Sequence, residues 1–316
     1  MQIFTNLSEI GSEFKSGSVV TLGNFDGLHL AHRALIEKLR AESNLRKLPS
    51  VLVTYYPNPA IVLGKNKDLK YIYSEEKKIS LLETMGIDYL IVVPFTLELS
   101  ELTAYKYIRE ILHELLNAKH IILGYNHFFG KNREGDFDFL NKFATEFSFS
   151  VSKLDPVYIG NEKISSSYLR NVLLEGDIEK ANNILGIPFS IKGSVVHGDK
   201  RGRTIGFPTA NLKINEMQLI PGNGVYCGYI DYETVIYSAM TNIGIRPTFG
   251  ELNRSFEINI LDFKQDLYDK DLEFFFLRKI REEKKFSGVE ELKTQLENDR
   301  NSTKQIFDLL KSTIPN

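Results

Sequence analysis

The chain of 316 residues contains one cysteine, Cys227, and no tryptophan. A single cysteine excludes an internal disulfide and a zinc site built from cysteines, so we expect Cys227 to be a small apolar strand residue. No apolar run approaches the roughly 20 residues that a membrane-spanning helix needs. Residues 1–5 lack a basic segment followed by an apolar core, so we expect no secretory signal.

Neither sign of charge dominates the sequence. Lysine and arginine number 39 against 41 aspartates and glutamates, a net charge of −2, so no global basic field favours nucleic acid. The 42% hydrophobic and 25% charged residues are ordinary for a globular protein. The length predicts two domains, and we expect a cytoplasmic enzyme.

Apolar runs and helix-like segments alternate through the first half of the chain. Strands are predicted at 19–22, 51–54, 89–95, 121–123 and 149–154, and helices near 28–41, 75–85, 103–117 and 137–146. This alternation is typical of a parallel, doubly wound sheet. Ligands of such sheets bind beyond the carboxyl ends of the strands.

The first of these strands leads into a short turn and then into two histidines. The turn consists of Gly23, Asn24, Phe25, Asp26 and Gly27. His29 and His32 are three residues apart at the start of the predicted helix, so they share one face. Because a helix N-terminus favours phosphate, two imidazoles there can donate hydrogen bonds to charge that develops on a phosphorus centre.

The pattern changes after a predicted short helix at 177–185, which Gly186 ends and Pro188 cannot continue. Strands are then predicted at 189–197, 207–213, 224–232, 235–242, 255–262 and 271–277. Short strands without intervening helices indicate a closed antiparallel barrel. We therefore predict a domain of residues 1–186 and a second of residues 187–316.

A C-terminal helix is predicted to pack on the barrel. Ser287 and Glu290 have the spacing of a capping box, and a broken apolar stripe follows them. Residues 297–302 are expected to bend or divide this helix.

A glycine-rich basic loop leads into the second strand of the predicted barrel. It contains Gly198, Lys200, Arg201, Gly202, Arg203 and Gly206. Glycine lets backbone N–H groups approach a polyanion, and the cations neutralise it. Thr209 and Asn211 share one face of the following strand and can hold a hard cation such as Mg²⁺ through oxygen. The residues alone leave open a basic hairpin loop with no ligand.

The stretch Gly198–Asn211 as a whole resembles the signature of riboflavin kinases. Residues 224–226, 242–250 and 256–258 fit the same family in order and spacing. With the nucleotidyltransferase-like half ahead of them, the chain resembles the bacterial bifunctional riboflavin kinases/FAD synthetases over nearly its whole length. The resemblance implies a Rossmann-like N-terminal domain and a six-stranded barrel with a C-terminal helix. It also implies two reactions, phosphorylation of riboflavin to FMN and adenylylation of FMN to FAD, with ATP and Mg²⁺ or Mn²⁺.

The resemblance implies roles for residues of the barrel. The glycine-rich loop binds the ATP phosphates, and Thr209 and Asn211 hold the metal. Glu257 alternates with Phe256 and Ile258 on a strand, so its side chain points away from theirs. The family pattern makes Glu257 the group that accepts the proton of the riboflavin hydroxyl, whereas position alone leaves it a solvent-facing carboxylate. Arg246 is expected at the flavin.

Two segments of the first half also resemble family motifs. His29-Leu30-Ala31-His32 resembles a His-x-Gly-His motif in which Ala31 replaces the glycine. Residues 124–130 resemble Gly-x-[Asp/Asn]-Phe-x-Phe-Gly, with His127 where an aromatic residue is usual and Asn126 as an expected flavin contact. Asn58 stands where the family usually has histidine, and we assign no role to it.

Ser165, Ser166 and Arg170 resemble the family's Ser-Ser/Thr-x-x-Arg motif, in which they clamp the phosphates that leave as pyrophosphate. Tyr168 replaces a residue that is usually basic. Taken alone, serines here are good helix N-caps.

Three alternatives stay open. Ala31, Asn58 and Tyr168 are consistent with a weak or vestigial adenylyltransferase beside an active kinase. The first half can instead adenylylate another phosphate-bearing substrate, or the chain can be a non-catalytic regulator that responds to flavin. The expected ligands are riboflavin, FMN, FAD and ATP, without nucleic acid or membrane, in a monomer or a homo-oligomer.

Overall fold

The computed structural model describes residues 1–198, 202, 205–248 and 251–311, without the side chains of 246–248 and 251–253. The chain divides into two compact units, Met1–Ser165 and Ser166–Asn316. Within the described ranges, no helix has the length and apolar character that crossing a membrane requires. Each unit has its own sheet and its own hydrophobic core.

The first unit is built on a parallel sheet of six strands. They are β1 (Gln2–Phe4), β2 (Ser18–Leu22), β3 (Ser50–Tyr56), β4 (Tyr89–Pro94), β5 (Ala118–Leu123) and β6 (Ser150–Lys153). Their order across the sheet is β1-β4-β3-β2-β5-β6, and every neighbouring pair is parallel. The predicted parallel sheet is confirmed. The three residues of β1 were too few to predict as a strand.

Helices cover both faces of this sheet. They are α1 (Leu30–Arg46), α2 (Pro59–Val62), α3 (Glu75–Thr84), α4 (Leu97–Ser100), α5 (Ala104–Lys106) and α6 (Phe137–Phe143). A π-helix, Tyr107–Leu115, continues α5, and Leu7–Glu9 and Lys131–Arg133 form 3₁₀ turns. A small hairpin, β7 (Tyr158–Ile159) and β8 (Glu162–Lys163), follows β6. Val19 and Val20, successive residues of β2, belong to separate core clusters, as expected for a strand that is buried on both sides.

The second unit is a closed antiparallel barrel with helices before and after it. Its elements are α7 (Ser166–Glu175), α8 (Ile178–Leu185), β9 (Ser190–Val196), β10 (Ala210–Lys213), β11 (Gly224–Tyr232), β12 (Val235–Thr248), β13 (Glu251–Ile260), β14 (Asp271–Arg281) and α9 (Val289–Leu310). The strand order around the barrel is β10-β13-β12-β11-β14-β9. The interior is rich in phenylalanine, with Phe256, Phe274 and Phe276 in mutual edge-to-face contact. The predicted six-stranded barrel is confirmed.

The predicted ends of one helix are confirmed, and the predicted start of another is wrong. Asp177 caps α8 and Gly186 ends it with a φ of 72°, as predicted. The capping box predicted at Ser287 and Glu290 is wrong, because Gly288 is the N-cap and Ser287 hydrogen-bonds Glu291 instead. The helix α9 also runs unbroken through 297–302.

The two compact units divide the chain after Ser165, earlier than the predicted domain boundary at residue 186. Both α7 and α8 fall within the second unit, whereas the boundary predicted at residue 186 places them with the first domain. That boundary stays a prediction.

Candidate active sites

A cavity of about 430 Å³ lies at the carboxyl ends of the parallel strands, and we call it the strand-end cavity. Asn24 follows β2, Asn58 follows β3, Phe95 follows β4 and Asn126 follows β5, and all four line the cavity. This is the edge at which ligands bind in parallel sheets. The remaining lining is largely aromatic or apolar and includes Tyr55, Pro59, Leu63, Leu99, Tyr107, Phe128 and Phe129.

The turn that follows β2 is tightly folded. The N–H of Gly23 donates to the carbonyl of Val53 at 3.0 Å, and a Cβ at Gly23 would lie 2.9 Å from the ring of Phe25. Phe25 and Leu28 are fully buried at positive φ values of 49° and 44°. Such conformations cost on the order of 1–3 kcal/mol each and persist only where the surrounding structure enforces them. They bring His29 to the start of α1.

His29 and His32 stack on each other at that start. Their ring centroids are 3.7 Å apart with the planes at 13°, which confirms the predicted shared face. His29 is the N-cap of α1, and its Nδ1 accepts the His32 N–H at 3.4 Å. With Nδ1 as the acceptor, a neutral His29 ring has its proton on Nε2.

The charge state of His32 follows from its surroundings. Burial, together with the neighbouring His29 and Lys78, lowers the pKa of His32 well below its ordinary value. Its Nδ1 is buried and has no hydrogen-bond partner among the residues that the structure describes. At neutral pH the ring is therefore an uncharged hydrogen-bonding group.

Sequence reasoning missed Lys78, which α3 places beneath the turn. Lys78 is 7% exposed, and its Nζ lies 3.5 Å from the hydroxyl of Thr54, which donates to the carbonyl of Asn24 at 3.2 Å. Burial lowers the pKa of Lys78, and the carboxylate of Asp26 opposes that effect. The available signal was a lysine four residues before Leu82, on the buried face of the helix.

The other predicted residues of this edge have different surroundings. Asn58 caps α2, because its side-chain oxygen accepts the N–H of Ala60 at 2.9 Å. Its own N–H donates to the hydroxyl of Tyr71 at 2.8 Å. Asn126 is exposed at the strand-end cavity, and its contact with flavin stays a prediction.

The residues of the predicted pyrophosphate clamp lie at the start of α7. Ser166 is its first residue and Arg170 follows one turn later, half-buried. Ser165 is the last residue of the first unit, and the other two belong to the second. The pyrophosphate clamp therefore stays a prediction.

A second cavity, of about 280 Å³, lies in the barrel unit, and we call it the barrel cavity. Residues of β12 and β13, of α9 and of the loop before α9 line it, among them Met240, Asn242, Glu257, Phe286 and Leu296. Phe256 and Ile258 are buried in the barrel interior, whereas Glu257 is half-buried. The predicted alternation is confirmed, and it directs Glu257 away from the interior.

Oxygen-bearing side chains meet around Glu257. The hydroxyl of Thr209 donates to the Glu257 carboxylate at 3.5 Å. Asn211 lies directly opposite Glu257 across β10 and β13, and Asn242 lies opposite it across β12. Hydroxyl, carboxylate and amide oxygens are ligands that suit Mg²⁺. In the described ranges no cluster of three His, Cys, Asp or Glu side chains could hold a metal, so a metal here would depend on Thr209 and the asparagines.

Part of the predicted ATP loop falls on the described residues. A side chain at Gly198 would collide with the amide of Asn211, and one at Gly202 with the carbonyl of Phe207. Gly206 has a φ of 85°. The backbone contact at Gly202 and the positive φ of Gly206 favour glycine at these two positions, whereas the contact at Gly198 is with a side chain that can move.

The structure does not describe the side chains of the remaining residues predicted for the barrel. Lys200, Arg201 and Arg203 are not among the described residues. Arg246 belongs to β12 opposite Asn253, and its side chain is not described.

A buried ion pair that the sequence did not indicate holds α9 on the barrel. Arg281 of β14 donates from Nε to both oxygens of Asp299 at 3.0 Å and from Nη2 at 2.7 Å. Asp299 is 1% exposed and also accepts from Gln295 at 2.9 Å. Because bidentate pairs fix orientation, this contact places Leu292 and Leu296 against the barrel cavity.

The comparison with known proteins matches each half of the chain to a family model. Residues 11–168 match the family model of FAD synthetase, and residues 185–307 match that of riboflavin kinase. The chain is 38% identical over 291 residues to the bifunctional riboflavin kinase/FMN adenylyltransferase of Listeria monocytogenes, which covers 92% of each chain. This chain belongs to that family.

Further members are similar over the same length. Identity to the protein of that name from Escherichia coli is 34%, covering 98% of this chain and 99% of that protein. Identity to the Bacillus subtilis protein is 35%, covering 95% of each. The presence of both family domains in one chain supports the bifunctional interpretation over a kinase with a vestigial partner. ATP and flavins are the substrates that the two families imply.

A solved structure shares the fold. It comes from Streptococcus pneumoniae and is described as a macrolide-efflux protein, with a TM-score of 0.87 and 32% identity. The similarity covers 96% of this chain and 98% of that one. A chain of similar fold over nearly its whole length has therefore already been crystallised.

Proposed function

We propose that residues 187–316 phosphorylate riboflavin to FMN and that residues 1–186 adenylylate FMN to FAD. The main support is that each unit matches one of the two family models and contains a cavity lined by residues predicted for that reaction. We keep the cytoplasm as the proposed compartment, because both reactions consume ATP.

In the kinase reaction, Glu257 accepts the proton of the riboflavin 5′-hydroxyl while the hydroxyl oxygen attacks the γ-phosphorus of ATP. The products are FMN and ADP. Thr209 and Asn211 would hold Mg²⁺, which neutralises phosphate charge when it is bound. Phe207, Met240 and Phe286 supply apolar surface for the flavin ring in the barrel cavity. Positioning and charge stabilisation supply most of the catalysis.

In the adenylyl transfer, a phosphate oxygen of FMN attacks the α-phosphorus of ATP and pyrophosphate leaves. His29 and His32 donate hydrogen bonds to the charge that develops on the phosphoryl oxygens. Ser165, Ser166 and Arg170 hold the departing pyrophosphate. The aromatic lining of the strand-end cavity suits the flat flavin ring.

Product chromatography tests this proposal. Purified protein with riboflavin, ATP and Mg²⁺ should yield FMN first and FAD later. FMN alone would indicate a vestigial adenylyltransferase, and neither product would indicate a regulator. A panel of phosphate-bearing acceptors would then show whether the first unit adenylylates another substrate.

Two variants assign each reaction to its unit. Glu257→Gln keeps size and hydrogen bonding but cannot accept the proton, so FMN formation should fall by about 10²- to 10⁴-fold. The same variant should still convert added FMN to FAD. His32→Ala should form FMN from riboflavin but little FAD. A mixture of both variants should convert riboflavin to FAD. Loss of both activities in a folded Glu257→Gln protein would contradict the assignment.

A further inference from the structure

The strand-end cavity has one polar atom whose partner the first unit does not supply. His127 lines this cavity. Its Nε2 is buried, and none of the residues in the described ranges hydrogen-bonds to it. Buried polar atoms in native proteins are almost always paired, so a ligand of the cavity is the expected partner of this nitrogen.

The loop around His127 holds the imidazole in place. The backbone N–H of His127 donates to the carbonyl of Gly124 at 3.2 Å. Its ring lies parallel to that of Phe129, with centroids 6.5 Å apart and planes at 17°. Phe129 is buried, packs on Tyr107, and pairs through its backbone with Gly135 in both directions. A ring fixed in this way presents its nitrogen without the entropic cost of ordering a mobile side chain.

The charge state of His127 limits what it can bind. Burial, with the nearby Arg133, lowers the pKa of His127 to about 4, so the ring is neutral between pH 6 and 9. A neutral imidazole nitrogen either donates or accepts one hydrogen bond, according to its tautomer. It offers no positive charge to a phosphate. The hydrogen bond by itself therefore does not distinguish a phosphate oxygen from a polar atom of a ring.

The lining of the strand-end cavity favours a polar atom that belongs to a flat ring. Tyr55, Phe95, Phe128 and Phe129 line it, and aromatic walls favour a flat ring. A flavin ring has one apolar, dimethyl-bearing side and one side with nitrogen and oxygen atoms. We propose that Nε2 of His127 hydrogen-bonds the polar edge of the FMN ring and thereby contributes to flavin selection in adenylyl transfer. This inference rests on the proposed function of the first unit.

The family motif places an aromatic residue at this position, so His127→Phe is a conservative test. Phenylalanine keeps the ring against Phe129 and removes the nitrogen. The KM for FMN should rise about three- to tenfold, the scale of one neutral hydrogen bond, while kcat, the KM for ATP and riboflavin phosphorylation change less than twofold. An FMN KM within twofold of the wild-type value would overturn the proposal, as would an equal rise for ATP.

His113 provides a matched control. Its Nδ1 is likewise buried without a partner in the part of the chain that the structure describes, and its ring packs on Phe147 at 5.2 Å. His113 is not one of the residues that line the strand-end cavity. His113→Phe should therefore leave the KM for FMN unchanged. A rise as large as that of His127→Phe would mean that general repacking, not the hydrogen bond, is responsible.

FMN analogues identify the contacted atom. Analogues with N5 replaced by CH, with N1 replaced by CH, or with N3 methylated each remove one polar position of the ring. One of them should lose affinity in the wild type and lose none further in His127→Phe, the signature of a shared contact. Identical losses in both proteins for all three analogues would contradict a contact with the ring edge.

A spectroscopic readout separates this inference from the proposed function. The chain has six histidines, and labelling them with ¹⁵N allows the Nε2 signal of His127 to be assigned by its absence from His127→Phe or His127→Gln. Added FMN should shift that signal in the wild type. A stationary signal in protein that forms FAD would reject the role of His127 alone. A shifted signal in protein that forms no FAD would support the contact and reject the adenylyltransferase function.

Discussion

The ammonium group of Lys78 lies 3.5 Å from the hydroxyl of Thr54, inside the parallel-sheet unit. The hydroxyl of Thr54 donates to the carbonyl of Asn24. The buried lysine therefore supports the turn that leads to the two histidines. Asp26 of the same turn accepts the N–H of Ile72 at 3.0 Å. Together these contacts fix the turn and bring positive charge close to the proposed site of a triphosphate.

Replacement of Lys78 by methionine should impair FAD synthesis. Methionine keeps much of the buried length and removes the charge, so the turn loses its support and FAD formation from FMN should fall about 10- to 100-fold. Kinase activity should be unchanged. Rates by chromatography, with Lys142→Met at an exposed position of α6 as the control, check this expectation. A folded Lys78→Met protein with the wild-type rate would show that the turn needs no lysine.

Arg170→Ala tests the pyrophosphate clamp. Loss of a charge-stabilising group should lower FAD formation by about 10²-fold or more, while riboflavin phosphorylation continues. Arg109→Ala is the control, since this arginine pairs with Glu110 on a solvent-exposed face. Unchanged FAD synthesis in Arg170→Ala would mean that the segment serves only as a helix cap, as the serines alone suggest.

The metal requirement of the kinase should follow from oxygen ligands. Mg²⁺ or Mn²⁺ should support FMN formation and a soft metal should not be required. Thr209→Val keeps shape and removes the hydroxyl, so it should raise the Mg²⁺ concentration needed for half-maximal activity. Thr294→Val, on the exposed surface of α9, should not. Full FMN production in excess chelator would remove the metal-binding role from Thr209 and Asn211.

Acid should destabilise the parallel-sheet unit through its neutral histidines. Burial lowers the pKa of His32 well below its ordinary value and that of His127 to about 4, whereas a histidine in the unfolded chain titrates near about 6.5. At a pH between the folded-state and unfolded-state pKa values, these histidines bind protons in the unfolded chain but not in the folded one. The contribution to stability is therefore complete above pH 6.5 and is lost as the pH falls toward 4.

Melting temperatures measured from pH 7 to pH 4.5 check this sign. His127→Phe should show a shallower decline than the wild type, because one proton-binding difference has been removed. His197→Phe, in the barrel unit, is the control. A decline in His127→Phe as steep as that of the wild type would show that this histidine is not held neutral.

The sequence by itself determined the architecture of this protein. Strand-like segments that alternate with helix-like segments predicted the parallel sheet of the first half, and short strands without intervening helices predicted the barrel of the second. The spacing of His29 and His32 placed both on one helix face, since residues three apart on a helix are neighbours. Successive side chains of a strand point to opposite faces, so the carboxylate of Glu257 points away from the barrel interior.

Only the tertiary structure decided which distant residues meet. Lys78 reaches Thr54 from 24 positions away, and Arg281 pairs with Asp299 across 18. Residues 297–299, read as a bend, instead provide the buried carboxylate of an unbroken helix. The nitrogen of His127, which has no hydrogen-bond partner among the described residues, likewise depends on the elements that pack around it. Such contacts arise from packing between elements, and no local periodicity encodes packing at that range.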